Sequence, residues 1–218
     1  DGEKDLRRSI EKFSEVIRYS IEQRNWAHSS RTHDNRGLAY RSLAKLGIDP
    51  ELNLKLCIDD HTKAANLWKE QKNWESYAAS MENIGLVYWS LVEQQVSPEE
   101  NFSHSVEALS EAARVQREGE RLNKYAGVQK SLGMVYRLGA MQGIATERNL
   151  KQSIKPFMEA SHLFKEQDDW SSYASTLNEL ALTYLSLAKA KESSRFNLAL
   201  AIDASGEASR VLKEESNM

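Results

Sequence analysis

Cys57 and His61 stand one helical turn apart in LCIDDH, and His33 and Arg36 interrupt the stretch SSRTHDNRGLAY of residues 29 to 40. Thiolate and imidazole on one helical face suit Zn²⁺, and a Cys beside a His is also how a thiol nucleophile meets its base. Neither chemistry is well specified here. Three scattered ligands without a Cys-x-x-Cys pair make a weak metal site. The chain also lacks Gly-x-Gly-x-x-Gly, a Gly-Lys-Ser/Thr phosphate loop, Gly-x-Ser-x-Gly and His-Glu-x-x-His. The carboxylate pairs Asp59–Asp60, Glu99–Glu100 and Asp168–Asp169 fall at expected helix starts, ends or loops, where solvation is expected. The reading is therefore of a protein that is not an enzyme, with no catalytic residue, no metal site and no cofactor.

The elements that carry these residues come from composition and periodicity. Hydrophobic residues make up 40% and charged residues 28% of the 218, which is the balance of a globular chain with a sizeable core. Helix formers dominate, with only 10 Gly and 3 Pro. The net charge of -3 carries no basic stripe, so nucleic acid is not an expected partner. No apolar run approaches the roughly 20 residues of a membrane span, no signal peptide opens the chain, and a single Cys suits a reducing, cytoplasmic setting. The opening DGEKDL, without Met, points to a fragment or processed form.

The chain repeats itself. DLRRSIEKFSEV, NLKLCIDDHTKA, NFSHSVEALSEA, NLKQSIKPFMEA and NLALAIDASGEA begin at Asp5, Asn53, Asn101, Asn149 and Asn197, a constant step of 48 residues. The other half of the unit keeps the same step, with Trp26, Trp74, Leu122 and Trp170 opening segments that end at Tyr40, Tyr88, Tyr136 and Tyr184. Apolar residues recur at three- and four-residue spacing in both halves, which is the signature of amphipathic helices. Helices are expected near 5–23, 26–45, 53–71, 74–94, 101–119, 122–141, 149–167, 170–190 and 197–215, with Asn or Asp capping the second of each pair. Pro50 and Pro98 mark breaks between units. Gly37, Gly85 and Gly133 fall inside helices, where Gly costs about 1 kcal/mol against Ala, so close helix–helix approach is expected there. No pair buries its apolar face alone, and stacking into an all-α solenoid follows.

Aligned on this period, the chemistry-bearing residues become a misfit layer. His33 stands where Met81, Gln129 and Leu177 stand, and Arg36 where Ile84, Leu132 and Leu180 do. Opposite them, His61 replaces Leu109 and Phe157, while Cys57 replaces Ser105 and Ser153. Three readings stay open: Arg36 pairs with Asp34, Asp59 or Asp60 or reaches solvent; an upstream segment or partner docks on the layer; or Cys57, His61 and His33 hold a metal. A buried unpaired charge is costly, which favours the first.

Leu132-Gly133 with Tyr136, and Ser153, Phe157 and Ala160 in the following helix, resemble the two helices of the tetratricopeptide repeat family. Ile84-Gly85 with Tyr88 pairs in the same way with Ser105, Leu109 and Ala112. The unit exceeds the family's usual length of about 34 residues. It is similar to the 48-residue variant of bacterial and archaeal arrays, whose units read roughly W-A-x4-N-L-G-x-A-Y, then N-L-x-x-A-I. The resemblance covers residues 5 to 215. It implies a right-handed α-solenoid spanning 1–218, with an N-terminal helix 5–23 and hairpins 26–71, 74–119, 122–167 and 170–215.

In that family the first helix of each hairpin lines a concave groove. Carried over, this implies Arg31, Asp34, Leu38 and Arg41, then Glu82, Leu86 and Trp89. Lys130, Met134 and Arg137 follow, then Asn178, Leu182 and Leu185, with Asn35 and Asn83 at the rim. Trp89 between Arg41 and Arg137 has the composition of a binding hot spot. Leu38, Leu86, Met134 and Leu182 replace the Asn that carboxylate-clamping members use, and Asp34 and Glu82 would repel a carboxylate. The implied partner is an amphipathic peptide, a helix or a protein, bound by a noncatalytic scaffold. The alternatives are an array that self-associates through its ends, where the polar outer face of SGEASRVLKEESNM is expected to act as a cap, or the regulatory region of a larger multidomain protein.

Overall fold

A computed structural model describes residues 2–190 and 193–215. Nine helices and no strand occur among them: α1 (Gly2–Glu22), α2 (Trp26–Lys45), α3 (Pro50–Glu70), α4 (Trp74–Glu93), α5 (Pro98–Glu118), α6 (Leu122–Met141), α7 (Thr146–Glu166), α8 (Trp170–Lys189) and α9 (Ser194–Glu215). The protein is an all-α repeat, with each helix packed on its sequence neighbours within two compact units, Asp1–Gly119 and Glu120–Met218. The first unit holds α1 to α5 and the second α6 to α9. None of the described helices is long and apolar enough to cross a membrane.

Five helices, α1, α3, α5, α7 and α9, begin three residues earlier than the sequence suggests. Pro50 and Pro98 are the first residues of α3 and α5 rather than their boundaries, because a first-turn residue needs no backbone N–H donor and proline already holds the helical φ. Asn53, Asn101 and Asn149 therefore lie inside the helices and do not cap them. Each is buried and donates its amide to the carbonyl of Ile48, Val96 or Ile144 in the preceding loop, at 2.7, 2.6 and 2.7 Å. The amide thus pins the loop to the helix that follows it.

The side-chain caps lie instead on the first helix of each hairpin. Asn25, Asn73 and Asp169 accept from the N–H of His28, Ser76 and Ser172 at 3.1, 3.1 and 3.0 Å, whereas Arg121 makes no such cap bond before α6. Asn73→Ala is expected to lower stability by about 1 kcal/mol, read as a shift of the urea midpoint with an unchanged m value.

The mid-helix glycines do mark close approach. A Cβ on Gly85 would meet Leu109 at 2.7 Å, one on Gly133 would meet the Phe157 ring at 2.7 Å, and one on Gly37 would meet His61 at 3.0 Å. Three hairpins are further tied by a tyrosine hydroxyl that donates to a glutamate on the second helix. Tyr77 reaches Glu111 at 3.1 Å, Tyr125 reaches Glu159 at 2.6 Å and Tyr173 reaches Glu207 at 3.4 Å. In the first hairpin Ser29 and Lys63 stand at those positions, and the buried Ser29 hydroxyl has no partner among the described residues.

Candidate functional site

The polar layer of the first unit is a fully built network. Asp60, in the middle of α3 and 1% exposed, accepts from three directions. Arg36 on α2 makes a two-pronged pair with it, Nε to Oδ2 at 2.8 Å and Nη2 to Oδ1 at 2.7 Å, and His33 Nδ1 lies 2.8 Å from Oδ1. The remaining arm of Arg36 donates to the Ser14 hydroxyl of α1 at 2.8 Å. Burial alone would raise the Asp60 pKa, but the hydrogen bonds from Arg36 and His33 outweigh it and hold the carboxyl below its usual range. Arg36 thus pairs locally, as expected, and the partner is Asp60. The expectation that Asp59–Asp60 is solvated holds for Asp59 alone, which is exposed and paired with Lys63.

Asp34 gathers a second set of donors. His61 Nδ1 lies 2.8 Å from Oδ1, Trp68 Nε1 donates to Oδ2 at 3.0 Å, and the Ser80 hydroxyl of α4 reaches Oδ1 at 2.9 Å. The two carboxylates therefore tie α2, α3 and α4 together, and Arg36 extends the network to α1 through Ser14. His61 is wholly buried, and its Nε2 faces the Gly37 backbone without a hydrogen-bond partner among the described residues. Cys57 is buried beside this network, and burial pushes its thiol up to about 12, which is the opposite of an activated nucleophile. Among the described residues no group of three or more His, Cys, Asp and Glu side chains is placed to hold a metal ion.

The residues inferred to face a groove divide into two groups. Arg31 and Asn35 are exposed on α2 one turn apart, Leu38 continues the stripe in the open, and Asn178 is exposed on α8. Asn83, Glu82 and Arg41 are half-buried, and the Arg41 Nε is enclosed with no hydrogen-bond partner among the described residues. The rest are committed internally. Asp34 belongs to the network above. Lys130 donates to the Ser175 hydroxyl at 2.9 Å, and Arg137 is buried in an ion pair with Glu179, Nη2 to Oε2 at 2.7 Å. A guanidinium so enclosed requires a counterion, and α8 supplies it from the next first-type helix. Trp89 is 8% exposed, so its ring is buried and is not displayed as a hot spot.

Beside the network lies a groove of about 620 Å³ between α3 and α5, floored by Met81, Ile84 and Tyr88 of α4 and flanked by Lys69, His104 and Glu107. In the preceding hairpin the counterpart of Ile84 is Arg36, whose guanidinium bridges α1 to α3. No family model matches the chain, and no curated protein does. Among solved structures, one described as a DHF58 filament aligns over 99% of this chain and 96% of its own, at 12% identity and a TM-score of 0.38, too distant to bear on function.

Proposed function

We propose that the chain is a tetratricopeptide-like, noncatalytic scaffold that binds an amphipathic peptide or partner helix along its first-type helices, in a cytoplasmic setting. The observation that carries this reading is the stripe Arg31, Asn35 and Leu38 on α2. All three are exposed, and no hydrogen bond or ion pair ties Arg31 or Asn35 to another described residue. A cation, an amide and a leucine at successive turns offer a charge, a paired donor and acceptor, and an apolar anchor on one rigid face. The internal commitment of Arg137 and Lys130 argues for placing recognition in the first unit.

The test is selection from a displayed peptide library on the native chain, followed by titration against an Arg31→Glu, Leu38→Glu variant. Both positions are exposed, so folding is expected to be unchanged. Selected peptides are expected to lose at least tenfold in affinity for the variant. Equal binding by both chains would move recognition off α2.

A further inference from the structure

On α9, Phe196, Leu198 and Ile202 are exposed, so the terminal helix does not present the polar outer face expected of a cap. Residues 216–218 of that stretch lie outside the described residues. The unanswered chemistry of the molecule is in the first unit, where α2 holds a cation without its counterion.

Two periods apart, α2 and α6 carry an arginine at the same place, Arg41 and Arg137. Arg137 is closed off by its own chain: its Nε donates to Glu179 Oε2 at 2.9 Å, and its Nη2 lies 2.7 Å from the same oxygen. The counterpart of Glu179 is Asn83, one methylene shorter and uncharged. Arg41 is half-buried, and its Nε is enclosed without a hydrogen-bond partner among the described residues. An enclosed guanidinium is costly without a counterion, and a carboxylate that reaches it gains a charge-assisted bond of the kind Glu179 makes.

Contacts on either side hold α2 against α4 over this stretch. Arg41 falls between Asp34 and Ala44 on α2, and Asn83 falls between Ser80 and Val87 on α4. Ser80 donates to Asp34 at 2.9 Å, and Ala44 packs in one cluster with Val87 and Leu91. Of the two acids expected to repel a carboxylate, Asp34 is already taken up by His61, Trp68 and Ser80. Glu82 adjoins Asn83 and still leaves Arg41 without an ion pair among the described residues.

We propose that Arg41 and Asn83 form a carboxylate seat for the partner that lies along α2. The partner's carboxylate takes the place that Glu179 holds beside Arg137, accepting from the Arg41 guanidinium, with the Asn83 amide as a second donor. An Asp or Glu side chain and a chain terminus offer the same group. The seat uses neither clamp position of this unit, Leu38 or Leu86, and it lies one turn beyond Leu38 on α2. A peptide with an acidic residue close to an apolar one therefore engages both. Assigning the carboxylate to a peptide rests on the reading of the Arg31, Asn35 and Leu38 stripe; the seat itself does not.

The test observes the arginine Nε–H signals of the full chain by ¹⁵N-resolved NMR, with Arg41 assigned by its loss in Arg41→Lys. Two probes are titrated at constant ionic strength: N-acetylglutamic acid α-amide, which offers only a side-chain carboxylate, and N-acetylalanine, which offers only a terminal one. Sodium chloride is the control. A saturable shift of the Arg41 signal with carboxylate and not with chloride is expected, without change at Arg137, and the tighter probe names the source of the group. Asn83→Glu supplies the counterion from within, and is expected to weaken carboxylate binding at least tenfold and to raise the urea midpoint. No shift at Arg41, or one that chloride matches, would overturn the proposal, as would an Asn83→Glu chain that binds carboxylate as tightly as the native one. Because the probes are not peptides, a failed peptide selection removes the stripe and leaves the seat, and a failed titration removes the seat alone.

Discussion

Asp60→Asn is expected to destabilise the first unit by about 3 kcal/mol or more, because it leaves the Arg36 guanidinium and the His33 ring enclosed without their carboxylate. The loss is a penalty for stranding charge and does not measure what the network contributes. The chain itself supplies the control. One repeat later the same three positions are Met81, Ile84 and Ala108, an apolar layer in the same fold. The triple variant His33→Met, Arg36→Ile, Asp60→Ala is therefore expected to equal or exceed the native chain in stability, since well-packed replacements of a buried ion pair are commonly neutral or stabilising by about 1–4 kcal/mol. Ser14 loses its guanidinium partner in this variant but keeps its bond to the Ile10 carbonyl. Urea denaturation of the native, single and triple chains decides the matter: a triple variant as unstable as Asp60→Asn would show that the network itself holds the unit together.

The same network makes the native chain acid-sensitive. The Asp60 carboxyl titrates below its usual range in the folded state, so its contribution is fully present above the unfolded value of about 4. It declines as pH falls through the depressed folded value. Native stability is therefore expected to drop below about pH 4 more steeply than that of the triple variant, which lacks the group. Parallel slopes in acid would mean that Asp60 is not held ionised by its partners.

Why the sequence revealed Arg36 and hid Asp60 is instructive. Arg36 was conspicuous because its counterparts Ile84, Leu132 and Leu180 are apolar. Beside Asp59 in sequence, Asp60 suggests a solvated pair, yet its counterparts Ala108, Pro156 and Ala204 are small and apolar, a sign that the position faces inward. The signal for Asp60 therefore lies in its counterparts across the copies and not in its neighbours along the chain. Helix ends were displaced for a related reason: Asn before Leu fits an N-cap by type, and only the loop carbonyl it reaches shows that it sits one turn inside. Trp89 was not decidable from type, because an indole gains as much from packing as from a partner. Its place depends on side chains from elsewhere in the fold. Arg137 is the same case with charge, since its fate was fixed by Glu179, 42 residues away.

Gly133→Ala carries the other large effect, and its sign depends on one side chain. Helix propensity alone favours Ala by about 1 kcal/mol. The added methyl, however, would lie 2.7 Å from Cδ1 and Cε1 of Phe157, a ring that is wholly buried and has no room to swing away. Overpacking of this kind costs about 1–3 kcal/mol, so the net expected change is a loss of up to about 2 kcal/mol. Phe157→Ser alone empties the socket and is expected to cost about 3–5 kcal/mol, as other large-to-small core changes do. The two together reproduce the Ala181 and Ser205 pair of the last hairpin, which the chain tolerates in a helix of the same length and register. In the Phe157→Ser background, Gly133→Ala meets no ring and is expected to stabilise by up to about 1 kcal/mol. The double-mutant cycle should therefore return a coupling of about 2 kcal/mol, well above the roughly 0.5 kcal/mol scatter of independent sites. Additive effects would show that glycine and ring are not matched.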